Sequence, residues 1–319
     1  MKKRISLLFS LLLLLLLLSR AEAAREGAVW GLDLCLRLLI PSLLPLFALS
    51  GLMSRLGLGE LLGRILGRGM ARLFGVSGAG ASAFIMGLCG GYPLGAATAA
   101  ELYRSGRISR EEGELLLGFC DNTGPAFAVA ALGTGAFRST GVGFFLYGIH
   151  VLSALLTGFI LRGRQRSSAP ASPAPPLAFS PALTAAVSAA GKAMLGVCTW
   201  VIVFSALLFA LNARGTLDLL AGALALRMGW ELSFARALIW SLFELSGTVG
   251  MMARLSLSPL TLSLAAFALS WGGLCVHFQS LSVSGDLSVR RRLPGKLLHG
   301  LLAAALSYIM STFFFLLRP

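Results

Sequence analysis

Charge is what this chain has least of. Of its 319 residues, 13% are charged, and only 13 are acidic against 27 Lys and Arg. A soluble globular domain carries about twice that charged share, so a water-soluble enzyme is excluded. Histidine and cysteine are scarce as well. The three histidines, His150, His277 and His299, are scattered, and none of the five cysteines forms a CxxC pair. That leaves no clustered Cys/His set for a metal site and no disulfide framework. Cys35, Cys89, Cys120, Cys198 and Cys275 lie in or beside apolar segments and read as small buried side chains. There is no P-loop, GxSxG, HExxH or Rossmann fingerprint. No catalytic residue, metal or cofactor is therefore expected, and ATP-driven transport by this chain alone is disfavoured.

What the chain has is apolar length. Apolar residues make up 56% of it and its mean hydropathy is +0.83. About 20 apolar residues cross a bilayer core, so the span is the natural unit. The reading is an all-α, polytopic membrane protein with about eight or nine hydrophobic segments. The net charge of +14 does not indicate nucleic acid, because the cations stand in short loops between apolar runs. Loops of that kind follow the positive-inside rule and meet anionic headgroups. The bilayer is thus the expected partner, and a homo-oligomer is left open.

Lys2, Lys3 and Arg4 precede the apolar run Ile5 to Leu18, and Ala21-Glu22-Ala23 resembles a cleavage site. Residues 1–26 therefore read as a signal-like segment or a first membrane helix. Further apolar segments fall at 28–54, 76–100, 115–137, 141–161, 183–211, 231–253, 259–281 and 297–317. Region 55–75, with Arg55, Arg64, Arg68 and Arg72, fits a cytoplasmic or interfacial helix. Arg290, Arg291, Arg292 and Lys296 read as a second basic loop. Counting every segment as a full span puts both basic regions inside but Arg104, Arg107 and Arg110 outside. Re-entrant hairpins would remove that conflict. Residues 164–181, rich in Pro, Ser and Ala, read as a flexible linker between a first membrane half (27–163) and a second (182–319).

The halves echo each other. The first has a proline-containing helix, Pro41 to Phe47, then a break at Cys89-Gly90-Gly91-Tyr92-Pro93. Another follows about 32 residues on, at Asp121-Asn122-Thr123-Gly124-Pro125. The second has the helix around Trp200, a break at Glu244-Leu245-Ser246-Gly247-Thr248, and another at Trp271-Gly272-Gly273 at a similar spacing. Paired interruptions at corresponding places are the sequence pointer to a transporter binding site. The alternative is a set of kinks that only help helices pack. A break frees backbone groups that protein, water or ligand must satisfy. New helices starting near Pro93 and Pro125, the latter capped by Asp121, Asn122 or Thr123, would aim N–H groups inward and favour an anion or a polar oxygen.

Glu244 is the only charge between Ala237 and Ala253. A carboxylate there is paired, protonated or functional, and proton coupling is the functional expectation. The candidate solute-binding residues are Gly90, Gly91, Tyr92, Asp121, Asn122, Thr123, Ser246, Thr248, Gly273, His277 and Gln279. Asp33 and Arg37, four apart, read as a helix-surface ion pair. Ser109 and Glu112 read as a local capping box.

Two stretches carry a resemblance. FIMGLCGGYPLGAATAAELYRSGRIS, from Phe84 to Ser109, and EEGELLLGFCDNTGPAFAVAALGTGAF, from Glu111 to Phe137, resemble the YlbJ-type sporulation membrane proteins, which belong with the nucleoside-recognition, or Gate-domain, proteins. SLFELSGTVG, from Ser241, and WGGLCVHFQSLS, from Trp271, resemble its later motifs. The resemblance runs from about residue 28 to 317 and implies a role in endospore formation, at the cell membrane or the outer forespore membrane. It also implies movement of dipicolinic acid, a compact dianion that two half-helix N-termini would suit. The family pattern has Asn where this chain has Asp121, which changes the charge at the expected site. The competing expectations are a spore-envelope assembly protein that moves nothing and a nucleoside transporter.

Overall fold

The computed structural model describes residues 2–162 and 178–316, and every element among them is helical. Helix α1 (Lys2–Ser19) leads into α2 (Ala21–Leu34), a π-helical turn (Cys35–Leu39) and α3 (Ile40–Arg55). Pro41 and Pro45 cannot donate a backbone hydrogen bond, and the widened π turn stands just ahead of them. Next come α4 (Leu58–Phe74), α5 (Gly78–Gly90), α6 (Leu94–Arg104), α7 (Arg110–Leu116), a π-helix (Ala126–Ala136) and α8 (Thr140–Leu161). The second half holds α9 (Phe179–Asn212), α10 (Thr216–Met228), α11 (Leu232–Phe243), α12 (Leu245–Met252), α13 (Pro259–Trp271), α14 (Gly273–Val283) and α15 (Arg292–Leu316). The expected linker lies outside the described residues up to 177, and α9 begins within its last residues, at Phe179.

Among the described residues, five helical stretches are long and apolar enough to cross a bilayer: Ala21–Arg55, Thr140–Leu161, Phe179–Asn212, Pro259–Val283 and Val289–Phe313. A sixth would be the pair Glu60–Phe74 and Gly78–Gly90, bent by 96°. Not every apolar segment is therefore a full span. The interruptions that the sequence marks cut several of them into helices of 7 to 13 residues.

Contacts between elements define two ends. Gly27 packs on Ser205 and Gly51 on Ala186, so α2–α3 runs antiparallel to α9. Helices α5 and α6 fold against each other, and the start of α5 meets the first turn of α7, where the Ser77 amide donates to Glu112 Oε1 at 2.6 Å. Arg107 pairs with Glu60 at 2.9 Å, and Arg110 reaches the Asp286 carbonyl at 2.9 Å. The α5–α6 pair is therefore a re-entrant hairpin. The α6–α7 connector, with Arg104, Arg107 and Arg110, lies at the same end as α4 and the 284–291 loop. The topology conflict in the sequence disappears, because these three arginines join Arg55, Arg64, Arg68 and Arg72 at one basic end, in keeping with the positive-inside rule.

The second hairpin, α11–α12, enters from the opposite end, where α9 finishes. The segment 110–136 runs away from the basic end, whereas α13–α14 runs towards it. Corresponding segments of the two halves thus run in opposite directions through the fold. Elsewhere Asp33 and Arg37 do pair on the exposed face of their helix. The capping box is only half formed: Ser109 Oγ accepts from the Glu112 amide at 3.1 Å, but the Glu112 side chain caps Ser77 of another helix instead. Four cysteines are buried, and Cys89 is exposed.

Candidate functional site

All four breaks meet in the interior. Gly91 has a φ of +80°, which only glycine adopts without strain. A side-chain carbon added there would stand 2.9 Å from the Gly124 nitrogen, so the two breaks of the first half touch backbone to backbone. Gly273, with φ of +79°, does the same against Phe243 and Glu244, whose backbone lies 2.9–3.0 Å from the equivalent position. Each half therefore brings its own two interruptions together through a glycine.

The halves are then tied across the repeat. Where α13 stops, its last carbonyls lack helical partners. Thr123 Oγ1 donates to the Leu269 carbonyl at 2.6 Å, and Tyr92 Oη donates to the same carbonyl at 3.1 Å. This corrects one expectation. Neither Asp121, Asn122 nor Thr123 caps the helix after Pro125, whose start has no side-chain cap. Asn122 Nδ2 donates to the Phe119 carbonyl at 2.9 Å, leaving its Oδ1 buried and unpartnered. The unsatisfied carbonyls of α13 lie within reach of Thr123, and its hydroxyl turns to them instead of capping its own helix.

Glu244 is the N-cap of α12. One carboxylate oxygen accepts from the Ser246 amide at 2.8 Å and the other from the Gly247 amide. Thr248 Oγ1 donates to the Glu244 carbonyl at 2.6 Å. A carboxylate of the chain itself thus occupies the positive end of this half-helix. That end is not open to an anionic solute.

A cavity of about 820 Å³ opens at the basic end between α3, α5, α6, α9 and α14. Arg55, Glu60, Arg107 and Lys192 stand at its mouth, and Phe47, Tyr92, Trp200 and Gln279 lie deeper. A smaller recess of about 50 Å³ continues from it among the breaks. The two share Phe47, Tyr92, Val197 and Gln279, and the recess adds Gly90, Gly91, Thr123 and Ser246. Of the residues proposed from sequence, Gly90, Gly91, Tyr92, Thr123, Ser246 and Gln279 line these spaces. Asp121, Asn122, Thr248, Gly273 and His277 do not. His277 is buried with neither ring nitrogen bonded, edge-on to Trp271 at 4.4 Å.

Behind Tyr92 lies a polar network that the sequence reading missed. Arg292 and Lys296, expected in a basic loop, are buried, with 2% and 0% exposure. They belong to the first turns of α15. Residues 292, 296, 299 and 303 recur at helical spacing on one face, and all four are buried. That periodicity was the signal available; the neighbouring Arg290 and Arg291, both exposed, masked it. Arg292 Nη1 pairs with Asp121 Oδ2 at 2.9 Å, and Ser280 Oγ bonds the same oxygen. The charge that Asp121 introduces thus has a partner across the repeat.

Lys296 Nζ donates to the Asp121 carbonyl at 2.9 Å and to His299 Nδ1 at 2.9 Å, and stands 5.2 Å from the Tyr92 ring centre. His299 Nε2 donates to the His150 carbonyl at 3.0 Å. His150 Nε2 accepts from the Thr123 amide at 3.1 Å, so its Nδ1 carries the hydrogen given to Ser270 Oγ at 2.8 Å. Two histidines that are far apart in sequence therefore meet, their rings 4.6 Å apart, and each has its tautomer fixed by its partners.

The comparisons with known proteins agree with this architecture. Residues 36–149 match the Gate family model, described as nucleoside recognition. That range holds both breaks of the first half. The chain is 34% identical over 158 residues to the sporulation integral membrane protein YlbJ of Bacillus subtilis (strain 168). The match covers 50% of this chain and 39% of that protein, so it spans well under half of the relative's length. Among solved structures, the fold is similar to a double variant of the transporter CNTnw in an outward-facing state. The TM-score is 0.59 at 14% identity, over 92% of this chain and 86% of that one. At that identity the likeness concerns the fold. The chain is an integral membrane protein with a transporter-like fold; it carries a Gate-family match and is similar to a YlbJ-type sporulation membrane protein.

Proposed function

We propose that this protein is a secondary transporter for a small anionic metabolite, of which dipicolinic acid is the leading case, and that it acts in sporulation at the cell membrane or outer forespore membrane. No enzymatic step is part of this reading. The observation that carries it is the convergence of four helix breaks around the inner end of a solute-sized cavity. Broken helices in a membrane are tolerated where they line a cavity, and two halves that run in opposite directions supply two related arrangements of one site. A cavity of about 820 Å³ is within the usual range for small-molecule sites. The sporulation role rests on the similarity to YlbJ.

Charge supports an anion. The buried groups behind Tyr92 are Arg292, Lys296 and Asp121, which sum to one formal positive charge. In a low-dielectric interior that excess acts across several ångströms. The anion would meet this field beside Tyr92, not the α12 N-terminus that Glu244 fills.

A nucleoside is the second reading, favoured by the aromatic rings of Phe47, Tyr92 and Trp200 and the amide of Gln279 around the cavity. The test is flux of labelled dipicolinate, and separately of labelled uridine, into liposomes holding the purified chain. Dipicolinate flux above protein-free liposomes is expected. Flux of neither solute would favour an assembly role without transport.

A further inference from the structure

We propose that Lys296 is the proton site of this transporter, an amine whose protonation and whose service to the anionic solute are one linked event. The proposal rests on the transport reading above and adds its coupling ion.

Lys296 is a buried amine without a counter-ion. Its nitrogen touches a carbonyl oxygen, an imidazole nitrogen and an aromatic face. The carboxylate nearest to hand, Asp121, is taken by Arg292 and Ser280. Among the described residues no carboxylate lies within ion-pair distance of Lys296. The other ionisable groups around it offer no negative charge to pair with at neutral pH. Arg292 and His299 stand on its own helix, His150 on α8, His277 on α14, and Cys120 and Tyr92 beside the breaks. An unpaired buried cation is unfavourable in a membrane interior. Two events relieve it: the amine gives up its proton, or an anion arrives.

The geometry permits both without dismantling the network. An ammonium has three N–H donors and a neutral amine two. The two hydrogen bonds of Lys296 therefore survive loss of the third proton, with the lone pair left towards Tyr92. Tyr92 lines both cavities, so a solute bound there lies one aromatic ring away from the amine. The step is a simple protonation: the amine lone pair takes H⁺ from water in the cavity, and the ammonium returns it when the anion leaves.

Because the anion stabilises the ammonium, the ammonium must strengthen anion binding by the same factor. Proton and anion then travel together. The network also ties this event to the breaks. Lys296 holds the Asp121 carbonyl, while His150 holds the Thr123 amide and Ser270. A change of charge at Lys296 thus acts on the segment that joins the two halves.

The experiment uses the full chain in liposomes, with labelled dipicolinate as probe and the membrane potential clamped at zero. With the outside one pH unit more acid, one-to-one coupling predicts dipicolinate accumulation of about tenfold and acidification of the lumen. Lys296→Arg keeps a permanent charge, so it should exchange dipicolinate across the membrane but accumulate none. Lys296→Gln should bind dipicolinate at least tenfold more weakly. Should either variant fail to insert, the wild-type measurement still decides: uptake that ignores the pH gradient overturns proton coupling and leaves the transport reading intact. A full pH response in Lys296→Gln overturns the assignment to this residue. No dipicolinate flux under any condition overturns both readings.

Discussion

Replacing Asp121 by Asn tests how the buried network is held together. Asp121 and Arg292 pair at 2.9 Å with 0% and 2% side-chain exposure, so neither charge has access to solvent. Arg292 is also in the first turn of α15, where the helix dipole disfavours a cation. Asn keeps the size and one acceptor oxygen but removes the charge, leaving Arg292 and Lys296 without compensation. Breaking one partner of a buried pair typically costs about 3–5 kcal/mol. The retained oxygen points to the lower end, about 3 kcal/mol, or roughly a hundredfold in the unfolding equilibrium. Reversible unfolding in mixed micelles, followed by the fluorescence of the five tryptophans, measures it. Adding Arg292→Gln should recover at least about 2 kcal/mol, because the stranded cation goes with it. An Asp121→Asn protein within about 0.5 kcal/mol of wild type, or a double variant no better than the single, would refute this account.

Thr123→Val removes the hydroxyl that satisfies the Leu269 carbonyl; transport should fall more than membrane abundance, and equal losses on immunoblot and flux assay would show a folding role instead. Glu244→Gln keeps one of two cap acceptors and should cost about 1 kcal/mol of stability while the shape of flux against pH stays unchanged; a flattened curve would restore Glu244 as the proton site. Gly91→Ala forces a side chain into a φ of +80° against Gly124 and should cost about 1–3 kcal/mol, read as a lower midpoint in the same micelle titration. Glu112→Ala leaves the buried Ser77 amide without its acceptor and should lower that midpoint by a similar amount, about 1–3 kcal/mol, with Glu112→Gln recovering part of it.

The sequence by itself determined the solvent and the interruptions. An apolar chain with so few charges has to satisfy its backbone within helices. Gly90-Gly91, Gly124-Pro125 and Gly272-Gly273 mark where those helices stop, because glycine and proline act locally on the backbone whatever surrounds them. The Asp33–Arg37 pair was legible for the same reason, since four residues make one helical turn. Tertiary structure decided everything that depends on which break meets which. The Thr123 hydroxyl turned from capping its own helix to the Leu269 carbonyl, 146 residues away, and Glu112 left its capping box for Ser77. The re-entrant α5–α6 hairpin moved three arginines to the basic end. Arg292 and Lys296 changed most. A cation next to a loop reads as solvated, and its burial becomes affordable only when Asp121 and Ser280 arrive from elsewhere in the sequence. Local spacing records which face of α15 they share, but only the packed fold supplies the partners that let that face turn inward.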